Sequence, residues 1–126
     1  MHYSRLSTFV IDCKTQDITA AASFWSNALG RDVHPSPDAD PLYRVLAARA
    51  AEPLLLTQAV EHESRIHLDI ETDNQEAEVR RLEALGAKRI AQIKNWWVME
   101  APTGQRFCVV NPQRGSLDGT NANEWP

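Results

Sequence analysis

The chain has 126 residues, 43% hydrophobic and 24% charged, a composition that suits one globular domain over residues 1–126 and excludes a disordered or collagen-like chain. The net charge of −4, with Lys and Arg scattered, excludes a surface built to hold a phosphate backbone, so no nucleic-acid partner is expected. No run approaches the roughly 20 apolar residues of a membrane span, so no membrane partner is expected either.

The start, MHYSRLSTFVID, reads as too short and too polar for a signal peptide. Cys13 and Cys108 lie far apart and match neither a disulfide framework nor a zinc spacing. Both are read as free thiols, and a cytoplasmic location is the expectation.

In chain order, LSTFVID (6–12) is β-branched and apolar and predicts a strand. Asp17 stands where a helix N-cap belongs, and Ile18, Ala22, Trp25 and Leu29 form one stripe of the helix that follows. Gly30 predicts a left-handed C-cap. RDVH (31–34) predicts a short strand, and PSPDADP (35–41) a loop. LYRVLAAR (42–49) and PLLLTQAV (53–60) predict two strands, and EHES (61–64) a linker. RIHLDIET (65–72) is the next strand. Asp73 and Glu76 have capping-box spacing before QEAEVRRLEAL, a helix with Val79, Leu82 and Leu85–Gly86 inward and a Glu76–Arg80 pair outward. AKRIAQI, NWWVMEA and QRFCVVNP predict strands, with a turn at PTG (102–104). Residues 113–126 form a polar tail.

The order β-α-β-β-β thus occurs twice, at about 6–60 and about 65–112, and both helices end in the tripeptide ALG. The segments FWSNALGRDV, RIHLDIETDNQEAEVRRLEALGAKRI and APTGQRFCVV resemble the vicinal oxygen chelate superfamily, in its glyoxalase-like branch. The resemblance implies an α+β fold in which two βαβββ modules form a cupped, mostly antiparallel sheet with helices outside. It also implies a cavity in the cup and, as in many relatives, a homodimer. Members of the superfamily differ widely in activity, so the site has to be read separately.

In metal-using members, ligands come from the first and last strands of each module. His67 falls at the family's histidine position. The other matching places hold Arg5–Ser7, Leu55 and Cys108, so one of the four expected ligands is kept and His67 is the only candidate metal residue. Catalytic divalent sites take about three protein ligands, so no cofactor is expected. A metal-dependent lyase or isomerase using His67 is the competing reading, and a non-catalytic interaction module is a third.

Strand alternation puts Arg65, His67, Asp69 and Glu71 on one side, with Ile66, Leu68 and Ile70 on the other, against a helix. His67 is expected to line the cavity and to bond Asp69, a ligand or water. Asp12 reads as a strand-end or turn residue. In NWWVMEA, Trp96, Val98 and Glu100 share the polar side, while Trp97 and Met99 face the core. The expected partner is a small organic ligand lined by His67, Trp96, Val98, Arg106, Cys108 and Leu55. Trp125 is expected to anchor the tail in a groove, on its own domain or, as the resemblance favours, on a second copy.

Overall fold

The computed structural model describes residues 1–35 and 40–126. Its elements run β1 (His2–Lys14), α1 (Ile18–Leu29), β2 (Tyr43–Leu46), β3 (Leu54–Val60), β4 (Arg65–Thr72), α2 (Gln75–Ala84), β5 (Lys88–Ile93), β6 (Trp96–Glu100), β7 (Arg106–Val110) and β8 (Asn123–Trp125). The fold is α+β, as the resemblance implied. The chain divides into a first unit, Thr8–His67, and a second, Met1–Ser7 with Leu68–Pro126, so β1 and β4 each contribute to both.

In the first unit, Thr8–Lys14 of β1 pairs in parallel with β3, and β3 pairs antiparallel with β2. One face of these strands carries Ile11, Cys13, Leu46 and Leu55, which pack together under Ala21 and Trp25 of α1. Helix α1 starts where the sequence places it: the Asp17 carboxylate accepts from the Ala20 N–H at 3.1 Å. It stops at Gly30, whose φ of 66° is a backbone state that a side chain would oppose. Two expectations change here. Residues 31–34 form no strand; Val33 makes an isolated bridge to Leu46. Leu29 is exposed, because the buried stripe of α1 comprises Ile18 and Ala22. The loop expected at 35–41 lies largely outside the described residues.

In the second unit, the strands run β4–β7–β6–β5, with β4 and β7 parallel and the other two pairs antiparallel. Met99 and Val109 meet Val79 and Leu82 of α2 in a core that Ile70, Trp97 and Phe107 extend. Trp97 and Met99 are therefore on the core side, as expected. The N-cap of α2 is Asn74, which accepts from the Ala77 N–H at 3.1 Å. Asp73, the expected cap, instead accepts from the Tyr3 N–H at 2.8 Å. Leu85, expected inward, is 67% exposed at the helix end.

The tail is not merely polar coil. Asn123–Trp125 forms β8, antiparallel to Ser4–His2 of β1. The Trp125 indole donates to Ser4 Oγ at 2.8 Å, and the Arg81 guanidinium lies 3.8 Å from its ring centre. Trp125 thus docks on its own chain, rather than needing the second copy that the resemblance favoured. Beneath it, buried Glu78 pairs with His2 at 3.0 Å and with Arg81 at 2.5 Å. Glu71, also fully buried, takes Arg5 and the Gln113 N–H. Burying a carboxylate is costly unless it is paired, and both glutamates are.

No helix among the described residues is long and apolar enough to cross a membrane.

Candidate functional site

The face of the first unit opposite α1 is where polar groups collect. Asp12 lies within β1, not at a turn, and is 2% exposed. Its Oδ2 takes a hydrogen bond from His67 Nδ1 at 2.7 Å. This carboxylate, 55 positions earlier in the chain, is a partner that the sequence reading did not name. The bond fixes the orientation of the ring. Two further groups converge on Asp12 Oδ2: Arg65 Nε at 3.7 Å and His62 Nε2 at 4.0 Å. Arg65 also bonds His62 Nε2 at 3.5 Å, and His62 Nδ1 bonds the Glu63 carbonyl at 2.8 Å. Asp12 Oδ1 is buried and, among the described residues, has no hydrogen-bond partner. Beside Asp12 in the register stand Gln58 and then Tyr43, joined by a 2.9 Å bond from Gln58 Nε2 to the phenol oxygen.

Leu55 belongs to the other face. It lies in the core under α1, so it cannot line a ligand site with His67. Cys13 shares that core. Burial, chiefly, and then the Asp12 charge push its thiol above the ordinary value, which suits a buried thiol rather than a nucleophile.

The remaining expected residues lie in the second unit, and the register brings them to one face. Val98 stands opposite Cys108, and Cys108 beside Asp69. Arg106 pairs with Glu100, its Nε 3.5 Å from the carboxylate. Trp96, two residues from Val98 along β6, is half-buried on the same side. The Asp69 carboxylate and the Cys108 thiol come within 4.8 Å of each other, a pair of hard and soft donors.

The apolar side of β4 is less buried than alternation predicted. Ile70 packs in the core, but Ile66 is 63% and Leu68 41% exposed. Sequence reading missed Asp12, Arg65 and His62 as a group. The acid at the end of an apolar strand was its signal, since a carboxylate buried among apolar neighbours requires a partner.

An open groove of about 730 Å³ lies elsewhere in the first unit, lined by Lys14, Gln16, Ile18, Leu42, Val60 and Glu61 among others. None of the expected ligand residues lines it.

A family model described as a glyoxalase-like domain matches residues 8–110. No curated protein matches the chain. Among solved structures, the chain is similar to methylmalonyl-CoA epimerase from Mycobacterium tuberculosis, with TM-score 0.64, 16% identity and coverage of 86% of this chain and 88% of that one. It is similar to a hypothetical protein from Bacillus halodurans C-125, with TM-score 0.64, 11% identity and coverage of 91% and 99%. A glyoxalase/bleomycin resistance protein/dioxygenase superfamily member from Vibrio splendidus 12B01 gives TM-score 0.50, 19% identity and coverage of 83% and 98%. At these identities the likeness is one of fold.

Proposed function

The chain belongs to the glyoxalase-like domain family, and from that premise we propose that it binds a small organic molecule on the polar sheet face at His67. The observation that carries this reading is the 2.7 Å bond between His67 Nδ1 and the buried Asp12 carboxylate. A histidine whose ring is held by a buried carboxylate is an oriented polar group for a ligand to meet. Trp96, Val98, Arg106 and Cys108 share a face of the second unit and are proposed as ligand contacts there. Leu55 is left out. Binding is read by titrating small aromatic and acidic compounds against thermal stability. The wild type should be stabilised by at least one class, and His67→Ala should lose that response while keeping its own melting temperature within a few degrees. A response unchanged in His67→Ala would place the ligand elsewhere.

A metal-dependent lyase or isomerase is the second reading, favoured by the same bond: metal-ligating histidines commonly give their other nitrogen to a carboxylate. His67 would supply one imidazole ligand, and a bound divalent ion would supply Lewis-acid chemistry. Leu55, in the core, offers no donor. The second unit holds donors of the right kind in Asp69 and Cys108. Elemental analysis decides: about one metal per chain, lost in His67→Ala, would replace the metal-free reading. A cytoplasmic location and a homodimer remain part of the proposal. Sedimentation of the intact chain at micromolar concentration tests the dimer, with exposed Ile66 as the first residue to alter.

A further inference from the structure

We propose that the outer face of α1 is where a second copy of this chain docks, with Phe24 at the two-fold axis. The inference rests on the homodimer reading above and names its surface. Helix α1, ITAAASFWSNAL, holds no charged residue. Helix α2, which is shorter, carries Glu76, Glu78, Arg80, Arg81 and Glu83, as a solvated helix commonly does. The uncharged side of α1 is nevertheless turned outward. Ile18 and Ala22 are its buried residues, whereas Thr19, Ala20, Ser23, Phe24, Asn27 and Ala28 are exposed. Phe24 is 63% exposed, its ring edge-on to Trp25 at a centroid distance of 5.2 Å. A phenyl ring so placed gains little from its own fold, and aromatic rings are what interface cores enrich.

The face is complementary to itself. Ala20, Phe24 and Ala28 stand four residues apart, so they form one ridge along the helix. The ridge reads the same from either end: small, large, small. Laid antiparallel on its own copy, it sets Ala20 against Ala28 and leaves room beside each for the opposing ring. Ser23 and Asn27 flank the ridge and can exchange hydrogen bonds across it.

Charge agrees with that direction. Asp17 caps one end of the helix and Arg31 follows the other, so the antiparallel arrangement brings each Asp17 toward the partner's Arg31. Arg31 is 21% exposed, and its 2.6 Å bond to Glu52 holds the guanidinium in place. The two helix dipoles oppose each other favourably as well. With a net charge of −4, the chain meets its own copy with least repulsion where no acid faces an acid. A helix of 12 residues is about 18 Å long. Two such faces bury less than the roughly 800 Å² per partner of a standard interface, so the dimer is weak and forms in the micromolar range.

Sedimentation equilibrium of the full-length chain, from about 1 to about 300 μM, reads the dissociation constant. Phe24→Glu should raise it at least about 30-fold, the size of an interface hot spot, and should leave the melting temperature of the dilute chain within a few degrees of wild type. Ile66→Glu should leave the constant unchanged. The double variant Ala20→Cys with Ala28→Cys should form a disulfide-linked dimer on mild oxidation, faster than either single variant. The wild type, with Cys13 and Cys108, gives the background. The cysteine pair decides alone if Phe24→Glu does not fold. A constant that Phe24→Glu leaves alone, or that Ile66→Glu raises as much, overturns this face and keeps the homodimer. Cross-linking no faster in the double variant than in the singles overturns the antiparallel copy. A wild type that is monomeric throughout overturns the homodimer and this face together. A monomer that floats with phosphatidylcholine vesicles, and ceases to in Phe24→Glu, gives the face to a lipid surface and overturns the second copy.

Discussion

At the residue scale, β6 sets two adjacent indoles to opposite sides of one strand. Trp97 extends the core around Met99, which is fully buried, and lies under Arg89 at 5.1 Å. Trp96 is on the face with Val98 and Cys108. Met99→Ala should cost about 2–5 kcal/mol, because Val79, Leu82 and Val109 cannot all close on the space. Trp97→Ala should destabilise by a similar amount, discounted for partial exposure. Trp96→Ala should leave the melting temperature nearly unchanged and weaken ligand binding by about 1–3 kcal/mol. Denaturant melts and ligand titrations separate the three, and a reversed pattern for the two tryptophans would put the ligand on the helix side. This strand phase was legible in the sequence because Glu100 marks the polar side. The bond between Asp12 and His67 was not: the two residues are 55 positions apart, and no local pattern encodes which strands meet. Leu55 failed as a site residue for a related reason. Its position was carried over from a resemblance, and in this chain its strand turns it toward Ala21 and Trp25.

At the element scale, caps and strands with strong local chemistry matched their expected bounds. RIHLDIET folds over its full length as β4, and Asp17 and Gly30 bracket α1. The misplacements were local contests. Asp73 and Asn74 are both good N-caps, and Asp73 is drawn off by the Tyr3 backbone. Residues 31–34 have strand character, but after Gly30 they find only the Leu46 bridge. Strand β8 carried no β signal; Asn123 and Glu124 are poor strand formers, and pairing with β1 together with the Trp125 contacts holds them. Trp125→Ala should therefore cost about 2 kcal/mol, summing a cation–π contact and one hydrogen bond. Removing residues 115–126 should cost more, since Leu117 is also buried. Melting of the truncated chain at the wild-type temperature would show that the strand contributes nothing.

At the scale of the whole molecule, acid is the informative perturbation. Glu76 is held down to about 2, chiefly by its bond to Arg89; desolvation opposes this next, and the bond to Arg80 adds to the lowering. Glu78 is subject first to desolvation, which raises its pKa, but the bonds from Arg81, Ser4 and His2 outweigh it and the net direction is down. Glu52 is lowered chiefly by the Arg49 backbone N–H. For each, the folded value lies below the unfolded one. The stability they contribute is therefore present above the ordinary value of 4.5 and is lost as pH falls through the lowered value. The melting temperature should hold down to about pH 4.5 and drop between there and pH 2. Glu78→Gln should lower the plateau and flatten the drop. A profile flat from pH 5 to 2 would mean that these pairs do not distinguish folded from unfolded chain.

The pairing of β8 with the start of β1 brings the two ends of the chain side by side. His2 lies opposite Trp125 and Ser4 opposite Asn123, while the Trp125–Ser4 bond joins residues 121 positions apart. In the linear chain that closure carries the largest loop entropy of any bond described above. A short glycine linker between residues 126 and 1 would make it local. New ends could open at the tight turn between β5 and β6, where Lys94 has a φ of 50° that release would relax. Such a circular permutant should reach the same folded state and refold faster than the parent, because its slowest-closing contact has become its nearest.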